Sequence, residues 1–98
     1  MRFAARRDEN EREIVDALRG VGASVHRLDG PGLPDLLVGR AGETYLLEVK
    51  RPAGPRGGVK GRTLTAPQVQ FQSEWRGRKA VVVADTWQAL EAVGIDET

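Results

Sequence analysis

Leu33-Pro34-Asp35-Leu36-Leu37-Val38-Gly39-Arg40-Ala41-Gly42-Glu43-Thr44-Tyr45-Leu46-Leu47-Glu48-Val49-Lys50 is the stretch around which the chain is organised. Leu36 to Val38 and Tyr45 to Val49 are apolar or β-branched runs of strand length, separated by Gly39, Arg40, Ala41 and Gly42, which is the pattern of a hairpin. If the turn is centred between Ala41 and Gly42, Leu36 faces Leu47 and Asp35 faces Glu48. Cβ atoms of such cross-strand neighbours lie roughly 4.5 to 5.5 Å apart. Because side chains alternate along a strand, Lys50 shares a face with Glu48 while Val49 points away. Two carboxylates and an ammonium converge.

Carboxylates held that close repel unless a proton or a cation lies between them. Oxygen ligands suit a hard ion such as Mg²⁺ or Mn²⁺, so Asp35 and Glu48 are candidate metal ligands. Lys50 could hold or deprotonate a water beside that ion, or neutralise charge developing on a phosphate. The competing reading is an ordinary hairpin whose end carries solvated charges, since short patterns of this kind recur by chance. The rest of the chain decides between them.

Ninety-eight residues suit a single domain, 1–98, with one core and little spare chain. Hydrophobic residues at 40% and charged residues at 30% are ordinary for a soluble protein. No apolar run approaches the ~20 residues of a membrane span, and the start of the chain lacks the apolar core of a signal peptide, so no membrane partner and a cytoplasmic location are expected. The absence of cysteine excludes disulfides, thiol catalysis and thiolate zinc sites, and the lone His26 cannot build a histidine cluster. Any metal must be held by oxygen. Net charge is +1, but Arg51, Arg56, Lys60 and Arg62 crowd one loop with no acid among them, as phosphate-binding segments do.

Residues 1–7 read as a frayed basic arm. Asp8 and Glu11 have the spacing of a capping box for a helix running to about Arg19, where Gly20 and Gly22 stop it. Glu11 also lies on the apolar stripe of Ile14, Val15 and Leu18, from which it could reach the Asp35/Glu48 pair; the cap is the alternative. Ala23 to Leu28 is a short strand, with His26 read as a surface or satisfied residue. Asp29 to Pro34 holds several breakers and is a loop that delivers the chain to Asp35.

After the hairpin, residues 51–63 carry four glycines, two prolines and four cations, which points to a flexible basic loop positioned to touch a phosphate backbone or to a solvated insertion. Thr65-Ala66-Pro67-Gln68 opens a second helix with a capping box and an early proline; its stripe is Gln68, Phe71, Gln72 and Trp75, and Gly77 ends it. Lys79 to Ala84 reads as a strand buried on both faces. Thr86 is expected to cap a last helix whose core stripe is Trp87, Leu90 and Val93. Both faces of the hairpin carry apolar side chains, so an α/β fold follows, with helices on each side of a central sheet.

That order, with Pro34-Asp35, then Glu48-Val49-Lys50, then Gln68 on the next helix, resembles the PD-(D/E)XK nuclease superfamily. It is most similar to the small single-domain VRR-NUC type of phages and bacteria, over about residues 8–93. The resemblance implies a restriction-endonuclease-like αβββαβ core with a mixed central sheet. It implies that Asp35, Glu48 and the backbone carbonyl of Val49 bind a divalent metal, and that Lys50 orients or activates the attacking water. Glu11 matches the family's first-helix glutamate and a further metal ligand; Gln68 matches the glutamine that completes the pocket. One departure concerns the strand that names the subfamily, which carries arginine after valine where this chain has Val83-Ala84-Asp85.

The expected activity is therefore a Mg²⁺- or Mn²⁺-dependent endonuclease hydrolysing DNA phosphodiester bonds, with Arg51, Arg56, Lys60 and Arg62 as DNA contacts. Specific protein–DNA interfaces bury ~1,000 to 2,500 Å² of protein, so a chain this small is expected to act as a homodimer. The resemblance implies a preference for branched or four-way junction DNA, in a bacterial cell or phage-infected host. Two rivals remain: a nucleic-acid-binding module that keeps the fold without catalysis, and an interaction domain whose charges are incidental.

Overall fold

The computed structural model describes residues 2–51 and 64–95. In chain order the elements are α1 (Arg2–Gly20), β1 (Ser24–Arg27), β2 (Leu36–Arg40), β3 (Glu43–Val49), α2 (Ala66–Glu74), β4 (Val81–Val83) and α3 (Thr86–Ala92). The strands form one four-stranded mixed sheet in the order β1-β2-β3-β4. β1, β2 and β3 run antiparallel, and β4 joins β3 in parallel.

The hairpin has the register its sequence implies: Leu36 pairs with Leu47, Val38 with Tyr45 and Arg40 with Glu43. The tight turn is Ala41-Gly42, with φ of 53° and 80°. Both central residues of the hairpin's two-residue turn are thus left-handed, the geometry that matches strand twist, and Ala41 adopts it despite its Cβ. β4 follows a crossover through α2, as a parallel neighbour must.

One face of the sheet carries Val25, Leu36, Val38, Tyr45, Leu47, Val49 and Val83, all buried in one cluster with Ile14, Val15 and Leu18 of α1 and Ala89 and Val93 at α3. Burial of the valine, leucine and isoleucine side chains among them is worth about 1.5–3 kcal/mol each by transfer. Arg40 Nη1 donates to the Val93 carbonyl at 3.0 Å and Arg19 Nη2 to that of Val25 at 3.1 Å, tying the helix ends to the sheet. The opposite face carries Leu37, Leu46 and Glu48, and over it stands α2, no residue of which is buried. Gly32, at φ 80°, lets the loop before β2 approach the start of α2, since a Cβ there would lie 2.8 Å from the Pro67 carbonyl oxygen.

Several expectations are corrected. The first helix begins at Arg2, so residues 2–7 are helical rather than an arm, and Asp8 lies within the helix rather than at its N-cap position. The last helix is capped by Asp85, whose carboxylate accepts the Gln88 N–H at 2.8 Å, with Thr86 as its first residue. Both changes have one cause: a capping motif is a local signal, and a neighbouring side chain with equal capping chemistry or a continuing helix displaces it. β4 is an edge strand with Val81 40% exposed, so it is not buried on both faces. Trp87 is 39% exposed, and α3 reaches the core through Ala89, Leu90 and Val93 instead. The second helix ends at Glu74, with Trp75 as its extended C-cap, three residues short of Gly77 by number. No helix among the described residues is long and apolar enough to cross a membrane.

Candidate active site

The site forms where β2 begins and β3 ends. Pairing Leu36 with Leu47 sets Asp35 at the next position, beside Glu48. Asp35 accepts the Val49 N–H through Oδ2 at 2.7 Å, and its own N–H goes to the Leu47 carbonyl at 3.0 Å. The carboxylate thus stands in for the backbone acceptor that would continue the ladder, which holds it rigidly at the strand end.

Glu48 is the one buried charged residue of the described core, 3% exposed. Period-two alternation turns it toward α2 while Leu47 and Val49 enter the apolar cluster. Its Oε2 accepts Gln68 Nε2 at 2.7 Å and lies 3.7 Å from Lys50 Nζ. Lys50 Nζ in turn donates to Gln68 Oε1 at 2.9 Å. Glu48, Gln68 and Lys50 therefore close a ring of polar contacts drawn from β3 and α2. The Lys50 side chain keeps 15% of its surface exposed, so the ring is not sealed from solvent.

Gln68 serves both readings that its sequence position allows. Its Oε1 accepts the Thr65 N–H at 2.8 Å and Thr65 Oγ1 accepts the Gln68 N–H at 3.4 Å, a complete capping box. A primary amide has two acceptor lone pairs and two N–H groups, and here the oxygen also takes Lys50 while the nitrogen reaches Glu48. The helix start and the ring are one structure.

Glu11 is ion-paired with Arg27 at the neighbouring strand end. Arg27, on β1 opposite Leu36, donates Nε to Glu11 Oε2 at 2.6 Å. The α1 residue bonded to the end of β3 is Asn10, whose Nδ2 donates to the Lys50 carbonyl at 3.3 Å. Neither Asn10 nor Arg27 was singled out from the sequence; a one-residue offset along α1 carries no local signal. Arg51 is exposed next to Lys50, whereas Arg56, Lys60 and Arg62 lie outside the described residues. His26 is exposed.

The described residues contain no group of three or more His, Asp or Glu that could hold a metal ion. The donor groups at this end are two carboxylates, those of Asp35 and Glu48. That set fits Mg²⁺, which binds through one or two carboxylates and keeps several waters. A buried carboxylate is costly unless paired. Apolar residues of similar volume are often at least as stable as a buried ion pair. Glu48 with Lys50 is therefore poorly explained as a stabilising device. Comparison of the chain with protein-family models, with characterised proteins and with solved structures finds no match.

Proposed function

We propose that this chain is a divalent-metal-dependent endodeoxyribonuclease of the PD-(D/E)XK type, with the restriction-endonuclease-like core that this type implies. The observation that carries the reading is the buried Glu48, bound by Gln68 and Lys50 and set beside Asp35 at the end of the hairpin. Asp35, Glu48 and the Val49 carbonyl are the groups that would hold Mg²⁺ or Mn²⁺. Such an ion supplies polarisation of the scissile phosphate and a bound water of lowered pKa.

The chain's own residues do the rest. Lys50 Nζ, steadied by Gln68 at 2.9 Å, positions the attacking water and offsets negative charge developing on the phosphate. Gln68 anchors that lysine to the start of α2, and Asn10 steadies the backbone of Lys50 from α1. Glu11 acts from α1 through Arg27 at the neighbouring strand end. Arg51, with Arg56, Lys60 and Arg62, holds the DNA backbone, and a homodimer presents two such sites to branched DNA.

Labelled single-stranded, duplex, flap and four-way-junction DNAs, incubated with Mg²⁺, Mn²⁺ or EDTA, test the reading. Metal-dependent cutting is expected, absent in Glu48→Ala and reduced about 10²- to 10⁴-fold in Lys50→Ala. A fully active Lys50→Ala protein removes the mechanism. Tight binding with no cutting under any metal moves the chain to a non-catalytic nucleic-acid-binding module.

A further inference from the structure

The helix α2 is held over the sheet in a different way from α1 and α3. Gln68, Phe71 and Gln72 are its half-buried residues, and its other residues are exposed. Two of the three are glutamines. Beneath them an open apolar groove of about 440 Å³, lined by Leu37, Leu46 and Phe71 among others, separates the helix from the sheet. Close apolar packing therefore does not set the height or the rotation of α2, and hydrogen bonds take that part.

Gln68 and Gln72 are four residues apart and share one face of the helix. Gln68 gives its amide to Glu48 and Lys50. Gln72 reaches the residue that leads into β4: its Oε1 accepts the Ala80 N–H at 3.0 Å and its Nε2 donates to the Ala80 carbonyl at 2.9 Å. One side-chain amide thus pairs with both main-chain groups of one residue, as a neighbouring strand would.

Ala80 needs such a partner. The Lys50 N–H donates to the Val83 carbonyl at 2.9 Å, so Val83 and, by alternation, Val81 turn their main-chain groups toward β3. Val82 and Ala80 turn theirs toward the free edge of the sheet, where the described residues supply no further strand. Ala80 is buried, and a buried main-chain donor and acceptor are costly to leave unpaired. The same turn of α2 is also held through its main chain. Lys79 Nζ donates to the Gln72 carbonyl, and to that of Trp75 at 2.7 Å, satisfying carbonyls at the helix end.

This clamp bears on the candidate active site through the sheet. Ala80 leads directly into β4, and β4 pairs in register with the end of β3, Val82 with Glu48 and Val83 with Val49. The strand approached by Gln72 is the one that lies beside Glu48. α2 is therefore pinned to β3 at Gln68 and to the start of β4 at Gln72, and two points one turn apart fix a rotation that a single point leaves free. Releasing Gln72 frees α2 to turn about Gln68, whose bonds to Glu48 and Lys50 then lose their common geometry.

We infer that Gln72 is a positioning residue of the candidate active site: by pairing with Ala80 it sets the rotation of α2 at which Gln68 holds Glu48 and Lys50 together. Gln72 acts through Gln68. The inference rests on the nuclease reading for its effect on catalysis, whereas the clamp itself is measured without DNA.

The test follows the Gln68 side-chain amide by NMR, its signals assigned by their loss in Gln68→Ala, together with hydrogen exchange at the Ala80 and Val83 N–H groups. Gln72→Leu removes both bonds to Ala80; Gln72→Glu keeps the size and the acceptor and removes the N–H donor. Both variants should speed exchange at Ala80 about tenfold and leave Val83, in the core, within about twofold. Both should also move the Gln68 amide signals toward those of a free glutamine. With Mg²⁺ and the best-cut DNA, kcat per folded molecule should fall about tenfold with KM within about twofold. If Gln72→Leu loses protection at Val83 as well, its fold has opened and Gln72→Glu decides the outcome. Faster exchange at Ala80 with unmoved Gln68 signals overturns the inference, makes Gln72 a cap of the sheet edge alone and leaves the nuclease reading intact. Moved Gln68 signals with unchanged kcat overturn it as well. A wild-type chain that cuts no DNA, with Gln68 signals that still move in the variants, loses the nuclease reading and keeps the clamp.

Discussion

The two faces of the sheet differ more than any two elements of the chain. On one face α1 and α3 close over Val25, Leu36, Val38, Leu47 and Val49, and those side chains are buried. On the other, α2 stands over Leu37, Leu46 and Glu48 without burying any residue of its own, and it leaves an open groove. Leu47, Glu48 and Val49 are consecutive, yet the outer two belong to the closed face and the middle one to the open face. The lesson is a division of labour. The closed face supplies the stability that lets the open face hold a buried carboxylate, a lysine and a partly empty groove, none of which maximises stability.

The largest test of this division is on the closed face. Leu47→Ala removes a fully buried side chain and should cost about 4 kcal/mol, a large part of the 5–15 kcal/mol typical of a whole domain. Urea unfolding measures it, and a cost below about 1 kcal/mol would break the comparison. The next test is on the open face. Mg²⁺ or Mn²⁺ at about a hundredfold its Kd should stabilise the native chain by about 2.7 kcal/mol, read as a rise in Tm. Glu48→Gln should abolish that rise, and a metal-induced rise retained in Glu48→Gln would show that the ion sits elsewhere.

A matched pair sharpens the contrast. Leu37→Ala, at a half-buried position in the groove wall, should cost only about 1 kcal/mol where Leu47→Ala costs several. Equal losses would mean that the groove is closed in solution. The smallest effect lies at the hairpin turn that both faces share. Ala41→Asn suits the left-handed φ of 53° and should raise stability by about 0.5–1 kcal/mol without touching either face. Chemical denaturation would detect it, and a loss of stability would mean that another contact of Ala41 outweighs the turn.

Much of the candidate site was legible because its parts obey short-range rules. Alternation along β3 separates Glu48 and Lys50 from Val49, and the Ala41-Gly42 turn sets the pairing that brings Asp35 beside Glu48. The Thr65/Gln68 box marks the start of α2, the point from which Gln68 reaches Glu48. What could not be read locally were contacts between elements. That Glu11 turns to Arg27 while Asn10 reaches Lys50 depends on how α1 rotates over the sheet, and its apolar stripe is too broad to specify that angle.

Two tryptophans make the same point about burial. Trp75 and Trp87 both occupy expected stripe positions, and both are exposed. Amphipathic spacing says which residues share a helix face, but the helix's distance from the sheet decides how deeply that face is buried. The sequence by itself determined the hairpin, its register, the shared face of Glu48 and Lys50 and the cap that carries Gln68, because each follows from two-residue alternation or a four-residue cap. Only the tertiary structure decided that one sheet face closes and the other stays open. That outcome depends on three helices competing to bury a single sheet, and no local pattern encodes which of them packs closest.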